Sequence, residues 1–168
     1  DLSWTVRNTG GAPAASWTDK VYLSADGTLN GATLLGSFRS TAGLDAGAEV
    51  RRTQPVTLPA RADGAYRIVV LTDADNDLFE RSGESNNLTA SESTLQLTHP
   101  NLVVADVRLP GGTTAVSAMA IPIAWTGRNA GSGPSSTNWI DRVYLSTDGV
   151  LSADDLLLGE APRQAALQ

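Results

Sequence analysis

The chain has 168 residues, 12 of them basic and 18 acidic, for a formal net charge of −6; such a surface repels phosphate backbones and anionic lipid head groups, which excludes nucleic-acid binding. With 16 glycines, 8 prolines and 41% hydrophobic residues the composition is that of a turn-rich globular protein rather than a helical bundle, and its apolar stretches fall far short of the roughly 20 residues that cross a bilayer. The absence of cysteine removes disulfide scaffolds, thiol nucleophiles and cysteine-based metal sites, and leaves the compartment open.

In chain order, "DLSWTVRN" places Leu2, Trp4 and Val6 on one face and Ser3, Thr5 and Arg7 on the other, the two-residue period of a half-buried strand. "WTDKVYLS" puts Trp17, Val21 and Leu23 on its apolar face together with Asp19. An inward carboxylate needs a partner, either amide hydrogens of a neighbouring loop or a bound ion. "SADGTL" carries an Asp-Gly turn signal. Ahead of Tyr66, "ARADGAY" resembles the sandwich corner in which a tyrosine hydroxyl bonds back to the chain a few residues upstream. Gly64 to Asp73 is apolar on both faces, as a central strand would be, and Leu88 to Leu97 forms a closing strand. No helix beyond a single turn is expected.

Self-similarity organises the whole. Trp4, Arg7, Asn8, Trp17, Asp19, Val21, Tyr22, Leu23, Ser24, Asp26 and Gly27 recur as Trp125, Arg128, Asn129, Trp139, Asp141, Val143, Tyr144, Leu145, Ser146, Asp148 and Gly149. The separation is 121 residues at Trp4/Trp125 and 123 at Gly36/Gly159, so the strands are kept while turns absorb insertions. This period is too long for a solenoid unit and suits a sandwich with its connections. The expected organisation is a first module over residues 1–97, a linker over 98–100 and a second module over 101–168. "PNLVVADVRL" (Pro100 to Leu109) is the opening strand of the second copy. The first module is therefore expected to lack its opening strand and the second to be truncated at its end. Exposed inner faces and strand edges would follow, together with pairing in which one module's strands complete the other.

The string "W-[TI]-D-[KR]-V-Y-L-S-x-D-G", present twice, and the run "DADNDLFERSGESNN" resemble the bacterial cell-adhesion-related domain family, CARDB, and the resemblance covers nearly the whole chain. It implies an all-β fold of two tandem immunoglobulin-like antiparallel β-sandwich modules. It further implies an adhesive place among further tandem repeats in a secreted or surface protein of a prokaryote, extracellular or at the cell surface. It carries over no catalytic residue.

Chemistry concentrates in Asp73 to Asn87, where five carboxylates stand against one arginine. Dense hard oxygens favour calcium, and Asp73, Asp75, Asn76, Asp77, Glu80 and Glu84 are the candidate Ca2+ ligands, with Asp19 as a further one. The first, third, fifth and twelfth places of an EF-hand-like loop are matched, but Leu78 stands where glycine is required and no helices flank it, so an EF-hand is rejected. Two readings stay open: calcium ligation in another geometry, or Asp and Asn side chains capping backbone amides of a long turn. Asn8 and Asp19 are expected near this loop. Asp148, Asp154 and Asp155 read as turn chemistry. The four tryptophans, inward and in register in both copies, read as core rather than as sugar platforms.

No enzyme is expected. His99 is the sole histidine and lies in the connector, too little for a Ser-His-Asp or zinc site, and the acidic loop shows no groove-lining aromatic for a glycosidase. The functional expectation is a non-catalytic adhesive or spacer module, stiffened by calcium, facing a protein or glycan on a surface. The alternative is an ancillary glycan- or protein-binding module of a larger secreted enzyme.

Overall fold

The computed structural model describes residues 1–135, 138–164 and 166–167. The chain is all-β and divides into two compact units, Asp1–Leu97 and Thr98–Gln168. Thr98 to Pro100, read from the sequence as a linker, belong to the second unit: His99 N donates to Ser132 Oγ at 3.2 Å, and its carbonyl accepts from Gly133 N at 3.0 Å. Among the described residues no helix is long and apolar enough to cross a membrane.

In the first unit, β1 (Leu2–Arg7) pairs antiparallel with β4 (Glu49–Gln54) in one two-stranded sheet. The other sheet runs in the order β3 (Thr33–Ser40), β2 (Trp17–Ser24), β5 (Gly64–Leu71), β6 (Leu88–Ala90), with β7 (Leu95–Leu97) also on β5. Two antiparallel sheets of this kind are the immunoglobulin-like arrangement. β1 alternates between half-buried and exposed, following its two-residue period. β2 does not: it is buried on both faces near its start, because β3 and β5 flank it and the β5–β6 loop covers its outer side, where Ala74 N donates to Thr18 O. The expected closing strand is interrupted at Ser91. There the Ser91 hydroxyl accepts from Ile68 N and donates to Ser93 O, and the Arg67 guanidinium donates to the carbonyls of Ser91 and Glu92. Side chains thus replace the ladder where β6 gives way to β7. The Tyr66 hydroxyl donates to Ala62 O at 3.1 Å, fixing the corner before β5.

The core is built on a carboxylate. Asp19 is 0% exposed beside Trp17 at 1% and Val21 at 0%. Its Oδ1 accepts from Trp17 Nε1 at 2.9 Å, and its Oδ2 accepts from Trp4 Nε1 and from Arg52 Nη1, each at 3.0 Å. The inward Asp therefore finds its partners in two indoles and a guanidinium rather than in loop amides. Arg52 stands opposite Trp4 in the β1–β4 register, stacks over its ring at 5.7 Å and donates to Arg39 O at 3.1 Å. Phe38 closes the cluster, 5.6 Å from Trp4 between ring centroids. Its ring lies so close to Gly36 that a Cβ there would fall 2.5 Å from it.

The second unit has β8 (Leu102–Arg108) paired with β9 (Ala124–Asn129) and β10 (Trp139–Leu145) paired with β11 (Leu156–Arg163). It rebuilds the same cluster. Asp141 accepts from Trp125 Nε1 at 2.8 Å, Trp139 Nε1 at 3.1 Å and Arg163 Nε at 2.9 Å, and Arg163 lies over the Trp125 ring at 5.4 Å. The arginine, however, comes from a different strand: Arg163 faces Trp139 across β10–β11, at the place held by Ser40 opposite Trp17. Among the described residues no buried side-chain nitrogen or oxygen lacks a partner.

The Trp125 hydrogen bond, with smaller help from Arg163 and Trp139, holds the Asp141 carboxyl below the usual carboxylate range against the opposing effect of burial. A folded-state value below the unfolded one stabilises the fold above the unfolded value and loses that contribution as pH falls through the folded one. The melting temperature of Asp141→Asn should accordingly lie below that of the wild type at neutral pH, and the gap should narrow once the pH falls below about 4. Calorimetric scans of both proteins across that range provide the check, and a constant gap would contradict the assignment.

Candidate functional site

The β5–β6 loop is held by its own polar groups. Its base is closed by Thr72 N donating to Asn87 O at 2.9 Å. Asp73 (φ 48°) and Asn76 (φ 54°) take left-handed backbone conformations, which Asp and Asn tolerate better than other side-chain-bearing residues. With Asn76 N bonded to Asp73 O at 2.9 Å, the chain curls back over Asp73. The buried Asp73 carboxylate then accepts from Asp77 N at 2.9 Å and Leu78 N at 3.0 Å. A 3₁₀ segment follows over Arg81–Asn86, six residues and so longer than the single turn expected. It opens with Gly83 N donating to Glu80 O, and Glu80 is further tied by Asn87 Nδ2 donating to its Oε2 at 2.8 Å and by its own N donating to Glu84 Oε1 at 3.2 Å.

The six acidic-loop candidates do not act as one set. One carboxylate oxygen each from Asp73, Glu80 and Glu84 lies within 4.8 Å of the others. Asp75 and Asp77 turn the other way, toward the sheet. Asp75 accepts from Lys20 Nζ of β2 at 2.5 Å, and Asp77 accepts from Arg39 of β3. The Lys20 hydrogen bond and a further one from Thr18 hold the Asp75 carboxyl below its usual range, and the same contact raises the Lys20 ammonium. Asn76 contributes through its backbone turn. Asp19 is engaged with Trp4, Trp17 and Arg52 and is not gathered into the carboxylate cluster. Asn8 does border the loop, with its Nδ2 donating to Ala12 O and Leu44 O and its Oδ1 accepting from Gly10 N.

Calcium coordinates six to eight oxygens at about 2.3–2.6 Å, so two ligands of one ion lie at most about 5 Å apart. The Asp73, Glu80 and Glu84 oxygens meet that limit. Asp73 oxygens that each accept one amide hydrogen retain a lone pair for a cation. The three carboxylates therefore fit a hard divalent ion by type and spacing.

Beside this cluster the Asn8–Ala14 segment and the Leu78–Asn86 segment enclose an open cleft of about 660 Å³. Phe79 lines it and is 89% exposed. This corrects the expectation that the loop offers no groove-lining aromatic; the only sequence signal was a phenylalanine set among acids in a loop. The other acidic candidates are turns. Asp148 Oδ1 accepts from Val150 N at 2.9 Å and Ser146 Oγ at 3.1 Å, which depresses its pKa, while Asp154 accepts from Ser152 Oγ and Asp155 from Ser152 N. Asp26 does the same for Thr28 and Ser24 in the first unit.

The CARDB family model matches residues 1–91. No curated protein and no solved structure matches the chain.

Removal of the buried Asp73 carboxylate strips two part-buried amides of their acceptor, whereas Asp75 contributes an exposed ion pair. Asp73→Ala should destabilise the first unit by about 1–3 kcal/mol and abolish protection of the Asp77 and Leu78 amides in hydrogen exchange. Asp75→Ala should destabilise it far less, as expected of an exposed ion pair, and leave those amides protected; equal effects on exchange would refute this division of roles.

Proposed function

Since the chain belongs to the CARDB family, an adhesion-related family of β-domains, we propose that it is a non-catalytic extracellular repeat module that acts as an adhesive spacer. The observation that carries this reading is the Trp-Trp-Asp-Arg cluster built twice along one chain. The recurring residues build this cluster and the two turns beside it, in which Asn8 and Asn129, and Asp26 and Asp148, make the same hydrogen bonds, as expected of units selected for a repeated scaffold. The carboxylates of the acidic loop are bound to amides and cations rather than paired across a groove, and the one histidine opens the second unit. Both features favour a structural role over an enzymatic one.

Calcium binding at Asp73, Glu80 and Glu84 is the finer part of the proposal. An ion there would tie the buried start of the loop to its 3₁₀ segment and stiffen one end of the sandwich. Calorimetric titration of the 168-residue chain should give saturable binding that is lost in Glu80→Gln/Glu84→Gln and kept in Asp75→Asn. At free calcium a hundredfold above Kd, stability should rise by about 2.7 kcal/mol. Heat indistinguishable from dilution, with unchanged melting, would return the loop to turn chemistry alone.

The exposed Phe79 ring favours a second reading, an ancillary module that binds glycan or protein in the adjacent cleft. A flat apolar ring beside carboxylate and carboxamide groups is suited to sugar faces. Retention on immobilised polysaccharides that Phe79→Ala abolishes would move the assignment to this reading; retention unaffected by the substitution would count against it.

A further inference from the structure

The turn between β2 and β3 holds the one Asn-Gly pair of the chain, Asn30 and Gly31. Ala32 N donates to Leu29 O at 3.3 Å, which puts the pair at the two central positions of a tight turn. Both residues are exposed, and Gly31 has a positive φ of 65°. Nothing lies within 4 Å of the place that a Cβ on Gly31 would take, so the peptide can swing there without collision. Among the described residues the Asn30 carboxamide makes no hydrogen bond and the Gly31 nitrogen has no acceptor; the Asn30 backbone N alone is held, by Thr28 Oγ1 at 3.2 Å.

Comparable positions are locked. Gly27 N, which follows Asp26, donates to Ser24 Oγ at 3.1 Å, while the Asp26 carboxylate accepts from Thr28 N at 2.8 Å. Gly149 N and the Asp148 carboxylate are engaged in the same way by Ser146 Oγ and Val150 N. The Asn8 carboxamide is bonded to Ala12 O, Leu44 O and Gly10 N, and the Asp77 nitrogen that follows Asn76 donates to Asp73 Oδ1.

We propose that Asn30 is a site of spontaneous covalent modification, at which the carboxamide becomes a carboxylate by way of a succinimide. The Gly31 nitrogen gives its proton to hydroxide and attacks Asn30 Cγ. The new N–Cγ bond closes a ring, the Cγ–Nδ2 bond breaks, and ammonia leaves with a proton taken from water. Water then adds to one of the two ring carbonyls. Breaking the N–Cγ bond gives an aspartyl residue at position 30; breaking the bond from the residue-30 carbonyl carbon to Gly31 N gives an isoaspartyl residue, with the main chain running through Cγ. Water is the only co-reactant.

The repeat supports the hairpin's tolerance of both products. Residues 30–32 separate Leu29 from Thr33, whereas residues 152–155, one more, separate the counterparts Leu151 and Leu156. The additional main-chain carbon of an isoaspartyl link falls within that difference. Carboxylates already stand in the same turn of the second unit, where Asp155 Oδ2 accepts from Ser152 N at 2.8 Å and Asp154 Oδ1 from Ser152 Oγ at 2.6 Å. The modification therefore adds a negative charge at the hairpin tip and leaves the fold in place. It depends neither on calcium nor on the Phe79 cleft.

The 168-residue chain, aged in mildly alkaline buffer at body temperature both folded and in guanidinium chloride, gives the test. Trypsin cuts after Lys20 and Arg39 and isolates residues 21–39. In the folded chain this peptide should gain the mass that separates an acid from an amide, with fragment ions placing the gain at residue 30. It should resolve into two forms, one of them a substrate of isoaspartyl methyltransferase. The folded rate should lie within an order of magnitude of the denatured rate and rise with pH. Asn30→Gln, whose longer side chain closes the ring poorly, should abolish the change, and both the aged protein and Asn30→Asp should melt as the unaged chain does. A folded rate more than an order of magnitude below the denatured one, or a clear drop in melting temperature on ageing, would overturn the proposal.

Discussion

A carboxylate between two sheets is costly to bury alone, since removing an ion from water costs several kcal/mol after relaxation. In the first unit that cost is offset by three donors from three strands: the Trp4 indole on β1, the Trp17 indole on β2 and the Arg52 guanidinium on β4. The cluster therefore sets where the small sheet sits on the large one. A slip of β1 against β4 by one residue would turn Trp4 and Arg52 to different faces and leave the ion uncompensated. The cluster thereby links the β1–β4 register, the packing of the two sheets and the burial of Trp17.

What surrounds it differs in kind. The strands flanking the cluster repeat closely, down to an irregularity between Val21 and Tyr22 that reappears between Val143 and Tyr144. Two of the turns repeat as well: Asn8 and Asn129 bridge the same bend, and Asp26 and Asp148 cap the same Asp-Gly turn. One end of the first unit carries the carboxylates and the cleft with Phe79, while the corresponding Asp-Gly turns of both units are occupied by their own hydroxyls and amides.

The sandwich architecture was readable in the two-residue periods, the repeat and the family motif, and the inward place of Asp19 was readable from Trp17, Val21 and Leu23 on its face. Its partners were not, because Arg52 is distant in sequence and meets Asp19 only through the β1–β4 register. The acidic loop was legible as a cluster and misgrouped in detail. Linear spacing put Asp73, Asp75, Asp77 and Glu84 together, but the left-handed residues Asp73 and Asn76 turn Asp75 and Asp77 toward Lys20 and Arg39, and the 3₁₀ segment brings Glu80 and Glu84 back instead. The break after Ala90 escaped notice because Ser91 keeps a strand-like pattern, its N still donating to Ile68 O, while its hydroxyl takes the place of its carbonyl as acceptor for Ile68 N.

The guanidinium that neutralises the buried carboxylate reaches it from β4 in one unit and from β11, the counterpart of β3, in the other. Arg52 on β4 and Arg163 on β11 thus bring the same charge to the same carboxylate from two different strands, and Ser40 holds the β3 position in the first unit, where β4 supplies the cation. The positive charge is in this sense a property of the pocket rather than of one strand: what both units share is a guanidinium within hydrogen-bond reach of the carboxylate and stacked on the indole, whichever strand carries it.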